Sequence, residues 1–479
     1  MRPEFTTRGQ TASPLAIFLV SLLVLLAALF LIWPVWRAFL PLEIIRSEGF
    51  SAYHADTALS APARLYPATD GLIANNYPPL YYFFLGGVAL LFGDAVYIGR
   101  AVSLLATLGL GIAAAFIVRL FGASQIAAIL AAAWYVATMA RFYDEYVGTN
   151  DPQLLGHMVM AMGLIWFLSR YKANRSVEPA ILVMVIAGFF KQNIAAIPVA
   201  ALIWLALDDW HKGLRAAIFG SVVAAAGLTT CAWLWPNFVG DLLLPRTYHI
   251  DRALSFVRSA NRWLPALTIW ALWAWLERQS KTAQFTMLHV GTSFALFLLQ
   301  RSAEGVGSNG QFDLVFAVAI GIGLAFDRLP FCAAWIRLEP ARIRLIILAV
   351  LLAGLVASPR MEFAYVIFSS DYRALAAHNS AITRTEAHRL ATIPNPIGCW
   401  NLVICRMAGK AFVWDYFKVS QMVATNAYTS DEIAAMMRLR NISYERIDPR
   451  TRADSLFRRC PVVWRGASQY QLNFSLNCD

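Results

Sequence analysis

At 479 residues, 59% hydrophobic and only 14% charged, the chain carries too little polar surface to close over its apolar side chains as a soluble globule. Composition makes it a polytopic membrane protein. The formal net charge of +11 lies mostly beside apolar runs, where Lys and Arg set topology and meet anionic headgroups, so membrane lipid and not nucleic acid is the expected anionic partner.

Residues 14–33 are apolar and long enough, at about 1.5 Å per residue, to cross a hydrocarbon core of roughly 30 Å. Arg2 and Arg8 ahead of them place the N-terminus on the cytoplasmic side. No small-residue cleavage site follows, which argues for an anchor and against a signal peptide. The next segment, residues 47–84, is polar, carries Glu48, Asp56 and Asp70, and closes on the aromatic-proline run Tyr77-Pro78-Pro79-Leu80-Tyr81-Tyr82. It reads as an outer loop, with Asp70-Gly71 as a turn pair.

Apolar runs follow at 79–92, 98–118, 126–140 and 154–168. Arg119 ends the second, and Arg170, Lys172 and Arg175 follow the fourth, so both of those ends are cytoplasmic. Two runs between an outer loop and Arg119 cannot both cross. The short, proline-led run 79–92 is therefore assigned to the outer interface or a re-entrant position. The loop 141–152, with Asp144, Glu145 and Asp151, then emerges on the same face as the first acidic segment.

Runs 179–190 and 194–207 leave Lys191 at an outer end. Run 214–235 leads to a second long outer loop with Arg246, His249, Asp251, Arg252, Arg258 and Arg262. Runs 263–276, 285–300, 314–326 and 343–357 bring the count to about eleven crossings. Between them lie a Gly-rich outer loop containing Asn309 and a basic cytoplasmic segment with Arg328, Arg337, Arg342 and Arg344. The expected organisation is a transmembrane part, residues 1–357, with outer-face loops 37–97, 141–153, 236–262 and 301–313, and a small α+β periplasmic domain, residues 358–479.

In that last part Thr429 and Ser430, followed by acids and helical apolar spacing, predict a helix over 429–439. Residues 462–466 and 470–476 read as strands. Of the six cysteines, Cys399, Cys405, Cys460 and Cys478 fall here. Without His-rich spacing they point to two disulfides in an oxidising compartment. Closeness in sequence favours Cys399 with Cys405 and Cys460 with Cys478.

Acids from two loops thus meet Lys191 and several arginines on one face. A carboxylate can deprotonate a hydroxyl or hold a divalent metal, and Lys or Arg can stabilise a departing phosphate. These are the needs of glycosyl transfer from a lipid phosphate.

With an acid-bearing first segment ending in Tyr77-Pro78-Pro79-Leu80, a second loop ending in Asn150-Asp151-Pro152 and a turn at Phe190-Lys191, residues 14–326 resemble the GT-C superfamily of membrane glycosyltransferases. That superfamily includes the lipid A aminoarabinose transferases, the protein O-mannosyltransferases and rhizobial lipopolysaccharide-core transferases. The resemblance implies a bacterial inner-membrane enzyme that uses a polyprenyl-phosphate-linked sugar. The implied acceptor is a hydroxyl of a lipid, envelope glycan or protein. It further implies Glu48 as the base, with Asp56 as the alternative because Ser47 stands where the family has its leading acid. Asp151 or Asp144 would orient the acceptor or a divalent metal, and Lys191 with Arg246 would face the phosphate. Tyr77, Tyr81, His249 and Asn309 fall among the substrate-lining positions.

Two rival classes remain. A transporter or flippase places ionisable residues near the membrane midplane and often shows repeated halves, whereas here the spans are nearly free of acids. A scaffold whose outer domain binds partners is the other.

Overall fold

The computed structural model describes residues 13–68, 71–332, 338–357, 361–444, 462–464 and 474–476. Arg2, Arg8, Asp70, Arg337, Cys460 and Cys478 lie outside the described residues. The first helices are α1 Pro14–Ala38, α2 Ser47–Ser60, α3 Leu80–Phe92, α4 Ala95–Leu120, α5 Gln125–Phe142, α6 Pro152–Lys172, α7 Glu178–Gly188, α8 Ala196–Asp208 and α9 Trp210–Leu234. They are followed by α10 Phe238–Leu242, α11 Ile250–Leu254, α12 Leu264–Leu276, α13 Lys281–Ser302, α14 Phe312–Cys332 and α15 Pro340–Val356. The remainder comprises α16 Glu362–Phe368, α17 Ser370–Ala391, α18 Leu402–Met407, α19 Tyr416–Ala424 and α20 Ser430–Leu439, with strands β1 Ile397–Gly398, β2 Ser443–Tyr444, β3 Val462–Trp464 and β4 Phe474–Leu476.

Polar caps begin the long helices. The side chains of Ser13, Asp94, Ser124, Asp151, Asp209 and Ser280 accept backbone N–H groups in the first turns of α1, α4, α5, α6, α9 and α13. Among the described residues, seven segments are long and apolar enough to cross a membrane: α1, α4, α5, α6, α9, α13 and Ser308–Phe331, which contains most of α14. The apolar helices α3, α7, α8 and α12 are shorter. Every run read as a crossing in the sequence is helical.

Burial sorts these helices. The apolar window of Ser308–Phe331 is 89% buried inside the protein, as its all-round hydrophobicity requires, and that of α9 only 6%. α14 is therefore the axis of the bundle and α9 its lipid-facing rim. The two ends differ in chemistry. At one end Asp327 accepts the Ser124 N–H at 2.9 Å, Arg328 lies 3.6 Å from Glu277, and Lys281 pairs with Asp208. The other end gathers α2, α3, the 143–151 loop, the α7–α8 turn and the α13–α14 loop.

The expectation of a loop over residues 47–60 is corrected: this stretch is the helix α2. It is buried nearly all round, on Phe50, Ala52, Tyr53, Ala55 and Ala58 as well as on polar Glu48, Ser51 and His54, and so shows no apolar stripe in sequence. α3, at 13 residues, extends only about 20 Å and begins after Pro78-Pro79.

The C-terminal part folds back on this end. Cys399 and Cys405 form a disulfide. Leu402 donates its N–H to Glu43 at 3.1 Å, Arg406 pairs with Asp56 at 2.7 Å, and Asp415 donates its N–H to the Leu72 carbonyl at 2.8 Å. α20 carries the expected N-terminal signal as a capping box between Thr429 and Glu432. β1 pairs in parallel with β2, and β3 pairs antiparallel with β4, with Val462 opposite Leu476.

Candidate active site

Lys191 lies in the turn between α7 and α8. That turn is laced to the aromatic-proline segment: Leu80 donates its N–H to the Phe189 carbonyl at 3.2 Å, and Gln192 donates to the Asn76 carbonyl at 2.7 Å. Tyr77 is fixed in turn, its N–H on Asn75 and its carbonyl accepting from the Tyr66 hydroxyl. The result is a Lys191 ammonium 3.4 Å above the Tyr77 ring, with the residue only 3% exposed. Among the described residues no carboxylate lies within ion-pair reach of it. Gly156 on α6 leaves the space Lys191 occupies, since a Cβ there would sit 3.3 Å from the lysine Cβ. Lys191 therefore stands one turn from the start of α6.

Asp151 caps that start, accepting the Gln153 N–H at 2.9 Å, and is 6% exposed. Asn309 from the Gly-rich loop reaches the Gln153 side chain at 3.4 Å. Ser308 of the same loop donates to Glu145. Between them sits Tyr146, whose hydroxyl is held well above its ordinary pKa by burial, with Glu145, Asp151 and Tyr77 adding to the shift and Arg301 opposing it. Tyr77, Lys191, Asp151, Glu145, Tyr146, Arg301 and Asn309 thus share one neighbourhood.

The other anticipated residues are engaged by partners of their own. Glu48 is fully buried and bound by Arg100 at 2.8 Å on each of its oxygens. Those oxygens also accept the backbone N–H groups of Ile44 at 2.7 Å and Asn150 at 3.2 Å. Tyr81 is buried and donates to the Asn150 side chain at 2.6 Å. Asp56 belongs to Arg406. Asp144 accepts from the Trp33 indole at 3.2 Å and lies 3.6 Å from Arg37. Arg246 stacks 5.2 Å over Phe417. His249 is exposed and donates its N–H to the Ser302 carbonyl at 2.9 Å. Among the described residues no three His, Cys, Asp or Glu side chains gather as a metal set.

Sequence reading passed over Glu43, Arg100 and Tyr146, and named Asn150 only as part of the Asn150-Asp151-Pro152 segment. Glu43 is fully buried five residues beyond α1, nearer the helix end than Glu48, and that nearness was the available signal. Arg100 sits within an apolar run and gave none.

The fold is similar to those of solved structures that belong to the GT-C superfamily. ArnT from Cupriavidus metallidurans in the apo state matches with a TM-score of 0.55 at 16% identity, over 86% of this chain and 89% of that one. ArnT bound to undecaprenyl phosphate matches with a TM-score of 0.54 at 16% identity, over 85% and 88%. The Archaeoglobus fulgidus oligosaccharyltransferase in the apo form matches with a TM-score of 0.51 at 11% identity, over 84% of this chain and 65% of that one. No protein-family model matches the sequence, and no curated protein matches it significantly.

Proposed function

We propose that the chain transfers a sugar from a polyprenyl phosphate to an acceptor hydroxyl. The observation that carries this reading is the buried Lys191 ammonium over Tyr77 with no carboxylate beside it among the described residues. A buried cation lacking a protein anion is a site for a ligand anion, and the fold's ArnT neighbour binds undecaprenyl phosphate. In the reaction the acceptor O–H breaks as Asp151 takes its proton. The acceptor oxygen forms a bond to the anomeric carbon, and the bond from that carbon to the phosphate oxygen breaks. Lys191 neutralises the leaving phosphate, with Arg301 beside Tyr146 in the same neighbourhood. Asp151 is preferred to Glu48 because Glu48 divides its oxygens among Arg100 and two backbone N–H groups.

The acceptor belongs to a lipid, envelope glycan or protein. The site end faces the periplasm of a bacterial inner membrane crossed about eleven times. Residues 1–357 form the transferase part and residues 358–479 the periplasmic part.

The test is transfer by the purified full-length protein from a panel of polyprenyl-phosphate sugars, wild type against K191M. Loss of the cation is expected to raise KM for the donor at least tenfold, with K191R retaining part of the activity. Unchanged donor kinetics in K191M, or transport of intact donor without a covalent product, would reject the reading.

A further inference from the structure

We infer that the buried Arg100–Glu48 pair is a positioning brace that sets the spacing of Glu43 and Asp151 without touching substrate. The activity part of its test rests on the sugar-transfer reading; the geometry does not. Arg100 is 1% exposed and Glu48 fully buried. The guanidinium holds the carboxylate at two points, Nε to Oε1 and Nη2 to Oε2, both at 2.8 Å. Its other N–H groups donate to the carbonyls of Leu42 and Leu40, each at 2.6 Å, and of Ala38 at 3.3 Å. The backbone leaving α1 is therefore wrapped around one guanidinium.

Glu48 completes the device. Its Oε2 also accepts the Ile44 N–H at 2.7 Å, and its Oε1 accepts the Asn150 N–H at 3.2 Å. Ile44 follows Glu43, and Asn150 precedes Asp151. One carboxylate thus fixes the backbone beside both acids, from segments about a hundred residues apart. The Asn150 side chain locks the same junction, donating to the Glu48 carbonyl at 3.1 Å and the Ala95 carbonyl at 3.2 Å while accepting from Tyr81.

A carboxylate whose two oxygens receive four donors, two of them from one arginine, has its acceptor positions filled by the protein and is well suited to hold chain segments in register. Lysine cannot replace Arg100, because a single ammonium lacks the planar fork that reaches Glu48 and three carbonyls together.

The experiment compares full-length wild type, R100K and E48Q in nanodiscs, each checked for monodispersity and thermal unfolding. In every background a spin-label pair at Phe39→Cys and Glu145→Cys, both exposed positions, reports the separation of the two segments. The expected result is a broadened distance distribution in R100K and E48Q. In R100K and E48Q without the label cysteines, kcat falls about tenfold or more, KM for the lipid donor stays within about twofold, and the acidic limb of the pH–rate profile is retained. Loss of that limb in E48Q would make Glu48 the base and overturn the brace; so would wild-type distances and kcat in R100K. Where R100K does not fold, N150A removes only the side-chain lock and should show the same split in smaller measure. If wild type transfers no sugar from any donor, the functional reading falls, and the distance measurement still decides the brace.

Discussion

Asp241 and Asp415 are both buried, and burial pushes each carboxyl up from an ordinary 3.8 to about 6, against the pull of backbone N–H groups and Lys418. Asp241 accepts the Asn75 N–H at 3.2 Å, and Asp415 caps α19 by accepting the Phe417 N–H at 2.8 Å. Both therefore join the first acidic segment to what covers it. With the folded pKa raised, the folded chain binds these protons more tightly than the unfolded chain. Their contribution is fully present below about pH 4 and is lost as pH rises through about 6. The expected outcome is a thermal midpoint that falls between pH 5 and pH 7, with D241N and D415N flattening that slope; Asn at 415 keeps the cap. A pH slope untouched by either substitution would show that other groups control it.

At the scale of elements, α4 meets the 143–151 loop at Gly99, where a Cβ would lie 2.1 Å from the Asn150 Oδ1 that Tyr81 also holds. Neither partner is free to give way. G99A is expected to destabilise by about 1–3 kcal/mol through overpacking and to lower kcat by shifting Asn150 and with it Asp151. Gly87 on α3 is the control: nothing lies within 4 Å of a Cβ there, so G87A should gain roughly 0.5–1 kcal/mol from helix propensity. Thermal unfolding of the two variants side by side checks the contrast, and equal midpoints would remove the steric reading of Gly99. This junction also marks what the sequence hid. The apolar runs were legible because length and hydropathy are local properties, and Lys191 and Asp151 were legible because they are charges at the ends of such runs. Arg100 was not, since a single arginine in an apolar run has no local sign of a carboxylate some fifty residues earlier. α2 was hidden for the opposite reason: its small and polar residues are buried on every side, so neither a stripe nor an apolar run announces a helix.

For the whole molecule, the alternation of charge along the chain becomes a sorting of the bundle into two ends. Asp208, Lys281, Asp327 and Arg328 gather at one; the acids, Lys191 and the C-terminal part gather at the other. In the proposed orientation, the positive-inside bias of the lysines and arginines flanking the apolar runs puts the first end in the cytoplasm. The strongly exposed Ile250 and Leu439 lie with the site end and the C-terminal part, while Lys212 and Gln279 are exposed at the other. Labelling is read against the unsubstituted chain, in which Cys231 is buried. A membrane-impermeant maleimide added to intact spheroplasts is therefore expected to label I250C and L439C and to spare K212C and Q279C until the membrane is opened. The reverse pattern would invert the protein and place donor chemistry on the cytoplasmic leaflet. Labelling of I250C and L439C from different sides would break the common face on which the two acidic segments and Lys191 have to meet.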